Sequence, residues 1–123
     1  MTTLRNLMGT GSSALGAQAT ATGLLSNTQT ATGNSQGTAL AIPSDFVVFT
    51  TVAASTGTIL PSNCLPGDWY TIVNHGANSL SVYPPTGGKI ANGSANAAFA
   101  VAANKMAQII CIDSLNFAAS LSA

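Results

Sequence analysis

The chain is 123 residues long and carries three basic and three acidic side chains, so it has no net charge and 5% charged residues where a soluble domain has about 25%. No ionisable group lies between Arg5 and Asp45. Acid–base catalysis, metal binding and nucleic-acid binding all need groups that are scarce here, so the composition points away from an enzyme and from a DNA or RNA partner.

The length allows one hydrophobic core. Glutamate is absent and the polar residues are mostly Thr, Ser, Asn and Gly, which favour strands and turns over exposed helix. Residues 1–30 place a few apolar anchors, Leu4, Leu7, Met8, Leu15, Leu24 and Leu25, among Gly, Ser, Thr, Ala and Gln, with neither helical nor strand periodicity. This predicts an extended N-terminal arm that orders against a partner. The N-terminus lacks the apolar run of a signal peptide, and no uninterrupted apolar stretch of about 18 residues is present. Synthesis in a cytoplasm and no membrane partner are the expectations.

From residue 31 onward the pattern is a β-domain. Short apolar runs at residues 37–42, 46–52, 56–60, 69–74, 79–83, 97–102, 106–112 and 117–121 predict about eight short strands in an antiparallel sandwich or jelly-roll. Pro43 and Pro61 fall just past apolar runs, and Pro66-Gly67-Asp68 has the chemistry of a tight turn. Asn74-His75-Gly76-Ala77-Asn78 joins two β-forming runs, which makes residues 69–83 the strongest hairpin signal. Two runs are apolar on both faces: Phe46-Val47-Val48-Phe49, and 106–112, where Met106, Gln108, Ile110 and Ile112 alternate with Ala107, Ile109 and Cys111. An antiparallel sheet normally wets one face, so these strands predict cover by a loop, the arm or a neighbouring subunit.

Few residues could carry chemistry. His75, the one histidine, sits in a turn with no Ser or Asp nearby to form a triad. Gly87-Gly88-Lys89-Ile90 lacks the upstream glycine and the Ser or Thr of a phosphate loop. Asp45, Asp68 and Asp113 are far apart in sequence and suit turn capping better than a metal cage. Asn92-Gly93-Ser94 matches a glycosylation sequon without a secretory signal. Trp69, Tyr70, Tyr83, Phe99 and Phe117 could form a sugar-stacking platform, but core packing accounts for them more simply. Cys64 and Cys111 have no metal-site spacing and read as small buried hydrophobes, with a disulfide or a reactive thiol as alternatives. No metal or cofactor is expected.

The stretch from Ser35 to Phe117 resembles a structural module of tailed-bacteriophage virion proteins. The likeness rests on Gly37-Thr-Ala-Leu-Ala-Ile-Pro43, on Thr51-Val-Ala-Ala-Ser-Thr-Gly-Thr-Ile-Leu-Pro61 and on Pro66-Gly-Asp-Trp-Tyr-Thr-Ile-Val-Asn74. It continues through Gly76-Ala-Asn-Ser-Leu-Ser-Val-Tyr-Pro-Pro85, Gly88-Lys-Ile-Ala-Asn-Gly93 and Ala102-Ala-Asn-Lys-Met-Ala107; where the pattern closes on tryptophan, this chain has Phe117. The resemblance implies a small β-sandwich or jelly-roll that acts as a capsid decoration (cement) protein. It further implies a homotrimer bound to the major capsid protein on the capsid exterior, with a head or tail fibre subunit that binds a receptor or glycan as the alternative. Leu4, Arg5, Leu7, Met8, Leu24, Leu25, Trp69 and Tyr83 are the expected capsid or subunit contacts.

Overall fold

The computed structural model describes residues 25–122, and over them the chain is all-β. Among the described residues the strands are β1 (Leu25–Thr30), β2 (Leu40–Ala41), β3 (Phe46–Thr51), β4 (Gly57–Ile59), β5 (Trp69–Asn74), β6 (Leu80–Tyr83), β7 (Lys89–Ile90), β8 (Phe99–Val101), β9 (Lys105–Asp113) and β10 (Asn116–Leu121). They form a six-stranded sheet in the order β1-β3-β5-β9-β10-β7 and a four-stranded sheet in the order β2-β4-β6-β8.

As far as β6 the chain alternates between the two sheets. Each pass through both layers makes one coil, and successive coils stack in parallel: β1 on β3, β3 on β5, β2 on β4 and β4 on β6. This is the winding of a short β-solenoid. The direction then reverses, with β8 antiparallel on β6, β9 on β5 and β10 on β9, while β7 lies parallel beside β10.

The expected antiparallel jelly-roll of about eight strands is thus corrected. Parallel neighbours need a crossover of roughly a dozen residues or more. Here residues 31–45 and 52–68 provide it and place one strand of each crossover in the opposite layer. The expected hairpin over residues 69–83 is corrected too, because β5 and β6 belong to different sheets. The buried Asn74 side chain causes the departure: its Nδ2 donates to the carbonyls of Asn78 (2.8 Å) and Val101 (2.9 Å), and its Oδ1 accepts from the Gly76 N–H at 2.9 Å. Those bonds turn the chain out of one sheet and toward the other.

The core lies between the layers. Val47, Phe49, Ile72, Ala107, Ile109, Cys111 and Phe117 point inward from the six-stranded sheet to meet Leu80, Val82 and Val101 of the four-stranded one. Thr58 is buried among them and satisfied by donating its hydroxyl to the Leu40 carbonyl at 2.7 Å.

Of the arm expected over residues 1–30, residues 1–24 lie outside the described residues, and Leu25–Thr30 is the sheet strand β1. The cysteines also differ from the main expectation. Cys64 and Cys111 are buried as predicted but are joined in a disulfide, with Cα atoms 6.5 Å apart, which ties the loop after β4 to the end of β9. The Pro66-Gly67 turn forms as its chemistry dictates: Gly67 has φ +92° and the Asp68 N–H donates to the Leu65 carbonyl at 3.0 Å.

Candidate functional site

The pleat of β3, β5, β9 and β10 decides what their outer face shows. Strand residues alternate between faces, so once Val47, Phe49, Tyr70, Ile72, Ala107 and Ile109 point into the core, their sequence neighbours point out. Register then assembles the outward residues into rows. Trp69 lies beside Ile110 and Ile110 beside Ala118; Phe46 beside Thr71, Gln108 and Ser120; Val48 beside Val73 and Met106. The result is a sheet face on which Phe46 (38%), Trp69 (36%), Met106 (42%) and Ile110 (39%) are exposed, with Ile112 (56%) at its end.

None of these outward positions is ionisable. Among the described residues the carboxylates and Lys105 stand at the ends of the sheet instead, and Lys89 opens the edge strand β7. Asp45 and Asp68 immediately precede the parallel strands β3 and β5, and Asp113 ends the antiparallel β9, so all three carboxylates gather at one end, with Lys105 at the other. Asp45 and Asp68, expected to be scattered, are therefore close enough to act on each other. Partial burial and the Asp68 charge push the Asp45 carboxyl above its usual range. Asp113 is held below the usual range by the Asn116 side chain, which donates to it at 2.9 and 3.1 Å, and by the backbone N–H groups of Leu115 and Asn116. It caps a turn. Among the described residues no group of three or more His, Cys, Asp or Glu side chains could hold a metal ion, and no helix is long and apolar enough to cross a membrane.

The other candidates are dispersed. His75 is exposed in the connection after β5, held by its backbone N–H to the Phe49 carbonyl at 2.8 Å. The Gly87-Gly88 segment is a closed turn: the Gly87 N–H that a phosphate would need donates to Asn96 Oδ1 at 2.6 Å, and the Gly88 N–H donates to the Pro85 carbonyl at 2.7 Å. Asn92-Gly93 is an exposed turn with the Gly93 N–H on the Ile90 carbonyl at 3.0 Å. The aromatic residues do not share a platform. Tyr70 and Phe117 are in the core, and Trp69 and Tyr83 belong to different sheets.

Of the expected contact residues, Trp69 lies on the apolar outer face and Tyr83 lies half-buried in β6, away from it. Leu25 is the first residue of β1, in register with Phe46, while Leu4, Arg5, Leu7, Met8 and Leu24 lie outside the described residues. Sequence reasoning missed Phe46, Met106 and Ile110 as named contacts, although the two-sided apolar runs 46–49 and 106–112 already carried the signal. Comparison with protein-family models, with curated proteins and with solved structures finds no match.

Proposed function

We propose that this chain is a structural, non-catalytic component of a tailed-phage virion, a capsid decoration protein that attaches to the major capsid protein on the outside of the shell. The observation that carries this reading is the broad, uncharged apolar outer face of β3, β5, β9 and β10, set among described residues whose few charged groups sit in turns and at strand ends. Such a surface is suited to contact and poorly suited to turnover. The sequence likeness to phage virion modules supplies the kind of assembly.

On this reading the work of the molecule is mechanical. Two packed sheets and a disulfide make a stiff body, and β1, the first described strand, lies at the edge of the six-stranded sheet. Apolar contact contributes about 25 cal/mol for each Å² removed from water, and repetition of a modest contact over a shell multiplies its effect. A disulfide persists in oxidising surroundings, which suits the outside of a released particle.

Adding the purified chain to particles that lack it tests the proposal. Saturable binding, with density at repeated positions over the shell in a reconstruction, is the expected result. With so few charges, attachment should change little between low and high ionic strength. Since β1 begins at Leu25, removing residues 1–24 leaves the described sheet complete and should abolish or sharply weaken shell occupancy. A chain that leaves the shell bare, or density confined to the tail, would overturn the reading.

A further inference from the structure

Residues 61–66, between β4 and β5, are held to the rest of the molecule chiefly through one bond. Cys64 is the one buried residue among them. The segment's backbone hydrogen bonds, from the Leu65 N–H to Asp68 Oδ2 at 2.9 Å and from the Asp68 N–H to the Leu65 carbonyl at 3.0 Å, stay inside its own turn. Both ends are fixed independently. Leu60 is buried and its N–H donates to the Tyr83 carbonyl at 2.9 Å; the Gly67 N–H donates to the Cys111 carbonyl at 2.8 Å and the Asp68 carbonyl accepts from the Cys111 N–H at 2.6 Å. We propose that the Cys64–Cys111 disulfide is a redox latch on this segment: reduction frees residues 61–66 and leaves both sheets in place, and oxidation by a small-molecule disulfide closes it again.

The two sulfurs are not equivalent. Cys111 lies inside β9, opposite Phe117 of β10, and keeps its place when the bond opens. Once reduced, its thiol can donate to the Asp113 carbonyl oxygen 3.1 Å away, while the Cys64 sulfur is 3.9 Å from the same oxygen. Cys64 leaves the core with its segment and becomes the thiol that meets solvent. Closure then has a fixed order. The Cys64 thiolate attacks one sulfur of oxidised glutathione, forming a mixed disulfide and expelling one glutathione thiolate; the Cys111 thiolate next attacks the Cys64 sulfur and expels the second. The two cysteines give up two electrons and two protons, and one glutathione disulfide becomes two glutathione thiols. On the virion reading the latch is open during synthesis in a reducing cytoplasm and closes after release. Its chemistry rests on the fold alone.

The test uses the purified chain and no particles, so its outcome is separate from that of shell binding. A phosphine reductant should leave the circular dichroism of the fold unchanged, and iodoacetamide should then label Cys64 at least about tenfold faster than Cys111, with each site read by peptide mass. In urea the two reduced thiols should react at similar rates, which assigns the difference to the fold. Oxidised glutathione should stay attached to Cys64 in Cys111→Ala, and should attach to Cys111 in Cys64→Ala at least about tenfold more slowly. Should either variant fail to fold, labelling of the reduced wild-type chain carries the test. Loss of the β-sheet signal on reduction would overturn the latch, as would reaction of both thiols at one rate, or of Cys111 first, in the folded chain.

Discussion

Cys64 and Cys111, 47 residues apart in sequence, close a covalent loop that contains β5, β6, β7, β8 and most of β9. In the chain-entropy account, a loop of that length restricts the unfolded ensemble by about 4 kcal/mol at most, with about 2–4 kcal/mol as the usual measured range. Cys64→Ala with Cys111→Ala should therefore lower the melting temperature by about 10 °C or more, as should reductant once it reaches the buried bond. Calorimetry with and without reductant checks this. Equal midpoints would mean that the sheets hold β9 in place without the bond.

Gly76 faces Val52 across the turn between β5 and β6. A Cβ at position 76 would lie 2.6 Å from the Val52 Cβ and 2.8 Å from the Val52 backbone nitrogen, closer than real side chains pack. Val52 is buried and has no room to retreat. Gly76→Ala should destabilise the fold by about 1–3 kcal/mol, read from urea midpoints at constant slope. The double change Gly76→Ala with Val52→Gly, which removes the Val52 Cβ, should cost less than the sum of the two single changes, which a purely conformational role for the glycine would not allow.

The strands were far more legible in the sequence than their pairing. Runs at 46–52, 69–74, 106–112 and 117–121 became β3, β5, β9 and β10 almost residue for residue, because alternation and β-branched content report a half-buried pleat directly. Alternation says nothing about which sheet the next strand joins, so the parallel coils were read as an antiparallel sandwich. A repeat did mark them. Ile42-Pro43, Leu60-Pro61 and Tyr83-Pro84 each follow or end a strand of the four-stranded sheet, at the same stage of each coil. The two strands that went unseen have little pattern to show: β1 is Leu25 followed by polar residues, and β7 is two residues long. The outer face was visible as apolar residues on both sides of two runs. The gathering of Asp45 and Asp68 at one end, like the Cys64–Cys111 bond, depends on strand direction and register, which residue spacing does not encode.

Asn74 joins both sheets through one fully buried amide, and no apolar residue can replace it without loss. Asn74→Ala would strand the Gly76 N–H and the carbonyls of Asn78 and Val101, at a cost of about 2–4 kcal/mol. Asn74→Asp is the sharper experiment. The new carboxylate could still accept from Gly76, but its other oxygen would face two carbonyl oxygens, so its ionised form is disfavoured in the fold. The folded-state pKa would be raised, and the sign follows. The variant should be least stable at neutral pH and should regain stability as pH falls and the acid proton takes over one donor role. Denaturation midpoints at pH 4 and pH 7, about three units apart and on either side of such a shifted group, measure the difference.

Tyr70 points into the core from β5 close to the acidic end of the sheet, and its phenol is pushed from 10.0 up to about 12, first by burial and then by the negative charges of Asp68 and Asp45. The neutral phenol is the form the fold favours. Its contribution to stability is thus complete below about pH 10, where the unfolded phenol is also protonated, and is lost as pH rises through the folded value near 12. Ultraviolet titration should show a late phenolate component that Tyr70→Phe removes. Asp68→Asn keeps an oxygen that can accept from the Leu65 N–H, now at 2.9 Å, and takes away only the charge. It should move the late component downward without bringing it to 10, since burial is the larger cause. The same change should lower the raised Asp45 carboxyl, whose stabilising contribution is present below its ordinary value of 3.8 and is lost as pH rises through the raised one. Asp113 has the opposite sign, stabilising above 3.8 and losing its effect as pH falls through its lowered value, so the two oppose each other in acid. Were Asp68→Asn to leave the late phenolate component and the Asp45 titration unmoved, Asp68 would not be acting electrostatically on either group.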